Sequence, residues 1–212
     1  FTVHQVADKW YYEIPRAMLG REFIVVSRIA ETASGIGYGG TMNGSNVVRW
    51  VRNGDKVYLR QVSFSTVADS TKPIAQAVRN SNVEPIIAGF DVAAYGTDST
   101  VVVDVTPLYT TDVAMLGLPS FMKTQYQIRR LDPARTYLES MHSYPKNIET
   151  RVVMTYDAGA APSNPSGGSI TIVMNHSMLL LPEKPMMPRL MDNRVGYFGV
   201  QQTDYGREED RV

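Results

Sequence analysis

The chain contains no cysteine. That excludes disulfides, thiolate zinc sites and cysteine nucleophiles, and leaves the compartment open, because cytosolic and envelope proteins alike can dispense with thiols. Neither sign of charge is in excess: 21 Lys and Arg face 21 Asp and Glu. Nucleic acid and anionic membrane surfaces both call for a basic surplus, so no global electrostatic case exists for either. Arg129 and Arg130 form only a pair, and residues 204–211 mix both signs. Long apolar runs are missing as well. The longest candidate, Met178–Leu181, is closed by Pro182, far short of the ~20 residues of a membrane-crossing helix. The first residue is Phe1 rather than Met, which leads to the expectation of a mature form or an excised piece whose targeting signal lies outside the sequence.

What is present is ordinary globular composition, 43% hydrophobic and 20% charged over 212 residues, enough to bury a core without disulfides or structural metal. Period-two strand patterns dominate. Phe1–Val6 and Lys9–Ile14 flank Ala7-Asp8 as a tight hairpin, residues 15–20 read as one helical turn, and Glu22–Glu31 is a strand. Val47–Arg52 and Lys56–Ser65 form the best hairpin, with Asn53-Gly54 supplying positive φ angles at the turn. Thr71–Val83 is the clearest helix, capped by Ser70 or Thr71, with Pro73 in its first turn and Ile74, Ala77 and Val78 on one side. Ile86–Val92, Thr100–Val105, Arg151–Tyr156 and Ser169–Leu181 read as strands. Pro107–Leu118 is a short helix or an irregular loop ended by Pro119, and residues 129–144 fit a turn, a helix start or a strand. Residues 158–168 (AGAAPSNPSGG) read as a flexible, exposed loop inside a long hairpin. Residues 182–204 are rich in Pro and Met and end in a strand-like Val195–Val200.

The expected fold is therefore mainly β, with α+β as the alternative: antiparallel sheets, sandwich-like or irregular, in a single domain over 1–212. It holds about nine or ten strands and about one or two short helices.

Chemistry is hard to find. The three histidines, His4, His142 and His176, have neither His-Glu-x-x-His order nor helical spacing, and sheet histidines are the simpler reading. No Gly-x-Ser-x-Gly elbow is present, and nothing pairs two carboxylates as a glycosidase requires. Residues 35–40 (GIGYGG) match the glycine spacing of a dinucleotide loop. Residues 41–46, TMNGSN, cannot open the helix whose N-terminus would meet the pyrophosphate. The glycines are instead read as turns, or as a close-approach surface carrying Tyr38, Gly39 and Gly40 at its tip. No catalytic, cofactor or metal residue is expected in this chain. Trp10, Trp50 and twelve tyrosines motivate a rival reading, an independent cell-surface module that binds peptides or glycans. Met186 and Met187 between prolines suggest a soft apolar contact surface.

Five segments in order carry a resemblance: FTVHQVADKWYYEIPRAMLGREFIVVSRI, TASGIGYGG, VVRW, PIAQAVRNSNVEPIIAGFDV and LLLPEKPMMPRLMDNRVGYF. Together they resemble a bacterial domain of unknown function that precedes the catalytic domain of zinc-dependent metalloproteases of the met-zincin type. The resemblance implies a non-catalytic accessory domain, acting as scaffold or as wall of the substrate cleft. It places zinc, and its His-Glu-x-x-His motif, in a catalytic domain downstream of Val212. It further implies a periplasmic, outer-membrane-anchored or secreted setting. The expected partners are that downstream protease domain of the same polypeptide and, at the cleft, peptide substrate; neither nucleic acid nor a membrane span is expected. Residues 182–212 lead toward the partner, and Arg189, Asp192, Arg194, Tyr197 and Phe198 are the expected interface residues beside Tyr38, Gly39 and Gly40. Asp192 is also considered as a carboxylate capping the zinc.

Overall fold

The computed structural model describes residues 1–162, 168–187, 189, 191, 192, 194–196 and 199–206. In chain order the strands are β1 (Thr2–Val6), β2 (Lys9–Ile14), β3 (Glu22–Glu31), β4 (Thr41–Asn53), β5 (Lys56–Val62), β6 (Thr66–Val67), β7 (Ile86–Tyr95), β8 (Val101–Asp104), β9 (Ile128–Leu131), β10 (Tyr137–Ser143), β11 (Asn147–Ala158), β12 (Gly168–Leu180) and β13 (Thr203–Asp204). Three short α-helices interrupt them: α1 (Ile74–Ser81), α2 (Thr106–Thr110) and α3 (Ser120–Gln125). The protein is mainly β, as the sequence pattern implies.

Eleven strands form one antiparallel sheet in the order β1-β2-β8-β7-β5-β4-β3-β12-β11-β10, with β9 paired to β11 beside β10. Rather than stacking on a second large sheet, this sheet curls. Its end strands β1 and β10 come back against each other without hydrogen bonding, so the curl stays unclosed. Alternation explains why it curls inward. In β11 and β12 the even-numbered residues Ile148, Val152, Met154, Tyr156, Ile170, Ile172, Met174 and Met178 are all buried, while much of the opposite face is polar. A sheet with one apolar face must cover it.

The inner surface carries two apolar clusters. The larger centres on Trp50, fully buried and ringed by Phe1, Tyr12 and Phe90, with ring centroids 6.1, 5.8 and 5.4 Å away. Phe23, Val48, Leu59, Val101, Val103 and Leu108 fill in around it. The second lies along the far half of the β11–β12 hairpin and is roofed by Met122 and Tyr126 of α3, by Leu118, and by Ile36 and Ala161 from two loops.

Several local expectations need correction. There are three short α-helices among the described residues, not one or two. Helix α3 follows directly on Pro119, whose extended backbone (φ −65°, ψ 150°) starts the helix instead of stopping one. The β4–β5 turn is Gly54-Asp55, since Asn53 pairs with Lys56 in the ladder and only Gly54 takes a positive φ, 61°. Helix α1 starts at Ile74 with Pro73 as its N-cap, and it buries Ala75 while leaving Ile74 and Ala77 exposed. In the expected flexible loop, Ala158 and Ala161 are buried and the Gly159 and Ala160 N–H groups donate to Gln127 and Tyr126, so residues 158–162 are docked. Residues 163–167 lie outside the described residues. Val195, Gly196, Gly199 and Val200 carry no strand. The terminal strand is β13, which pairs in parallel with β6.

Strand β3 is hydrogen-bonded on both sides, to β4 and to β12, so residues near the start of the chain form the middle of the sheet. Deleting residues 1–32 is expected to abolish the cooperative urea transition, and a peptide of residues 1–32 added in trans to restore it. A truncated chain unfolding at the same urea midpoint would show that β3 is dispensable. Within the core, Trp50→Ala is expected to cost about 3–5 kcal/mol in the same measurement.

Candidate functional site

The glycine-rich turn between β3 and β4 is built by backbone constraints. Gly40 takes φ 88° and donates its N–H to the Ile29 carbonyl at 2.7 Å. A Cβ on Gly39 would sit 2.5 Å from the Ala30 carbonyl oxygen, a separation no side chain tolerates. Thr41 Oγ1 donates to the Tyr38 carbonyl at 2.7 Å, and β4 begins at once. No helix follows to meet a pyrophosphate. Tyr38 projects from the tip, 85% exposed.

Arg189, Asp192 and Arg194 belong to a strap between residues 182 and 202, whose described residues carry no strand or helix and which is tied down at both ends. At its start Leu181 N–H donates to Glu22 C=O at 2.9 Å and Arg21 Nη1 contacts Glu183 Oε1 at 2.6 Å. At its end Thr203 N–H donates to Ser65 C=O at 2.8 Å, Tyr205 N–H to Val67 C=O at 3.0 Å, and Lys72 Nζ to Gly206 C=O at 2.6 Å. Within the strap Arg194 Nε donates to Asp192 Oδ1 at 2.9 Å, and the Arg194 backbone N–H donates to the same oxygen at 2.9 Å. This guanidinium holds the Asp192 carboxyl below the usual carboxylate range, and Asp192 would have to leave it to cap a metal. Arg189 is exposed. Tyr197 and Phe198 lie outside the described residues. The structure thus joins Asp192 to Arg194, and Tyr38 to Gly39 and Gly40. Turn and strap share no hydrogen bond or ion pair among the described residues.

What sets the strap apart is its apolar side chains. Met186 is 77%, Met187 84% and Val200 98% exposed, with Met191 and Val195 also in solvent. Scattered exposed apolar residues are normal on a protein surface, and here five of them fall in one segment.

A polar row invisible in the sequence crosses the core between the two apolar clusters. Ser27 of β3, His176 of β12 and Thr150 of β11 are register neighbours across three strands and each is 1% exposed. Ser27 Oγ donates to the Met115 carbonyl at 3.1 Å and lies 2.9 Å from His176 Nδ1. The serine proton is therefore committed to Met115, which assigns the imidazole proton to Nδ1 and leaves the buried Nε2 without a partner. Beside the row, Tyr12 and Tyr109 share a 2.7 Å hydrogen bond between hydroxyls, and burial pushes both phenols up. The spacing is that of a serine nucleophile and its base, yet neither atom reaches solvent and the serine proton points elsewhere. The other histidines take no part in this row. His4 on β1 contacts Glu13 at 2.8 Å, and His142 on β10 is exposed. No group of three metal-ligating side chains occurs among the described residues. Trp50 is buried and is no surface stacking platform, while Trp10 is half-buried.

These features define an antiparallel β domain with a sealed core and an apolar, doubly anchored terminal strap. The family described as a domain of unknown function, DUF5117, matches residues 40–212, and the chain belongs to it. A second domain of unknown function, DUF5118, matches residues 1–32. No curated protein and no solved structure matches the chain. The junction between the two matched segments falls in the glycine-rich turn, so both contribute strands to one sheet.

Burial pushes His176 down to about 3 from its ordinary 6.5. The folded state therefore refuses a proton that the unfolded chain accepts, and stability falls as pH drops from about 6.5 toward 3, by about 1.4 kcal/mol per pH unit. His176→Asn keeps a donor for Ser27 and lacks this titration. Urea unfolding of both chains between pH 7 and 4 is expected to give a shallower loss for the variant; parallel curves would refute the assignment.

Proposed function

We propose that this chain is a non-catalytic accessory domain of a secreted or envelope zinc metalloprotease, which docks the protease domain through the strap. The observation that carries the reading is the strap itself. Its ends are fixed to β3, β6 and the segment before α1, and between them its methionines face solvent. A tied segment loses little further backbone entropy on docking, and methionine side chains adapt to the surface they meet. The resemblance supplies the partner: a domain downstream in the same polypeptide, holding the zinc in its own His-Glu-x-x-His motif. In this role the domain supports and walls the protease cleft, with Arg189 and Arg194 as polar contacts around the apolar ones. The setting that follows is the periplasm, the outer-membrane surface or the exterior.

Two measurements test this. Reading the gene beyond Val212 is expected to reveal His-Glu-x-x-His, and its absence would sink the protease assignment. The chain and that downstream domain, produced separately, are expected to associate in trans. The double variant Met186→Ser, Met187→Ser is expected to weaken that association at least tenfold by calorimetry while leaving the thermal midpoint of the chain unchanged. Undiminished binding would move the interface away from the strap.

A further inference from the structure

Strand β7 changes partners midway. Residues 86–91 pair with β5, and residues 92–95 pair with β8, with register breaks at Ile87 in the first ladder and at Ala93 in the second. Strand β8 has only four residues, Val101–Asp104, before the chain turns away into α2. Had β8 continued, it would have run along Ile86–Asp91. A slot is left instead, a cleft of about 460 Å³ lined by Ile87–Asp91 of β7, by Lys9 and Tyr11 of β2, and by Pro107, Leu108, Thr111 and Val113 around α2.

The two sides of this slot are not alike. On the β2 side the backbone is satisfied: Trp10 N–H donates to Thr106 Oγ1 at 2.8 Å, and Trp10 C=O accepts from Val105 N–H at 2.9 Å. On the β7 side it is open. Val92 N–H donates to Asp55 C=O at 2.9 Å, so the alternation of an antiparallel ladder turns the N–H and C=O of Gly89 away from β5 and into the slot. Gly89 is backed by the Tyr58 ring, whose Cε1 lies 3.2 Å from where a Cβ would stand. An unpaired strand edge in a cleft of this size has hydrogen-bonding complementarity to one thing above all, another extended backbone. β2 and α2 wall its other side.

We propose that the cleft beside Ile86–Asp91 receives an extended segment of another polypeptide as an added strand, in line with β8 and hydrogen-bonded to β7. The half-buried Ile87 and Val113 and the buried Leu108 give its inward side chains an apolar floor. Asp104 and Asp91 on the rim of the cleft are each already paired with a lysine, Lys9 at 3.2 Å and Lys56 at 2.5 Å, so recognition rests on backbone and apolar contacts and not on charge. This site is separate from the strap and stands whatever domain the strap meets.

The probe is an end-blocked peptide of alternating Thr and Val with a Lys at each end, and a counterpart with Leu in place of Val. Titrated into the isotopically labelled chain, at least one is expected to shift the amide resonances of residues 86–91 and to slow exchange of the Gly89 amide at least tenfold. Methylating the backbone nitrogens on one edge of the bound peptide keeps its side chains and is expected to lower affinity at least tenfold. Thr111→Trp, a change at an exposed position that fills the slot, is expected to do the same with the thermal midpoint retained. The proposal is overturned if neither peptide shifts residues 86–91, if both methylated edges bind as well as the parent, or if the shifts map to β1 or β10. Self-association of the chain through β7 would equally overturn it.

Discussion

The two ladders of β3 hold the molecule together. One joins Glu22–Ile29 to β4, the other joins Phe23–Glu31 to β12. Without them the large sheet would fall into two open pieces, β4 with its neighbours toward β1 on one side and β12 with β11 and β10 on the other. The same strand puts Phe23 and Val25 into the Trp50 cluster, Ile29 into the second cluster, and Ser27 into the polar row between them. A strand paired on both edges and buried on one face leaves little room for slippage, since a one-residue shift would turn Phe23, Val25 and Ser27 outward. That two sequence families meet at the turn after β3 is thus a division of sequence and not of structure.

Charge follows a related economy. Arg49 lies between Glu22 and Glu84, and Arg151 between Glu31 and Glu139, each arginine bracketed by acids from two other segments. Exposed pairs of this kind contribute about 0–1 kcal/mol each. They add little to stability, which rests on the apolar interior. The cleft offers backbone and the strap apolar side chains.

Much of the fold was legible because strands announce themselves locally. Alternation located the long β11–β12 hairpin, and Gly54 marked the β4–β5 turn to within one residue. Pro119 misled because proline both ends helices and precedes them, and only the chain that follows decides which. Residues 158–162 look mobile by composition, yet Ala158 and Ala161 are small enough to pack under the α3 roof. The surface was less legible. Tyr38 and the methionines stood out by residue type, and the structure leaves them exposed. Asp192 and Arg194 proved to be each other's partners. Ser27, Thr150 and His176 could not be grouped from sequence, because their meeting depends on the register of three strands 27 to 176 residues along the chain. The slot beside β7 was invisible for the same reason: it exists because β8 stops early, and nothing in residues 86–91 says so.

The distribution of methionine has a chemical consequence. With no thiol anywhere to intercept an oxidant, thioether sulfur is the readiest target in the chain. Met154 and Met174 are sealed at 0% exposure, while Met186, Met187 and Met191 stand in solvent on the strap. Peroxide would reach the strap long before the core and convert its soft apolar side chains into polar sulfoxides, with the sheet still folded. Under the docking proposed for the strap, such damage would register as lost adhesion between intact domains, and enzymatic reduction of the sulfoxides could reverse it.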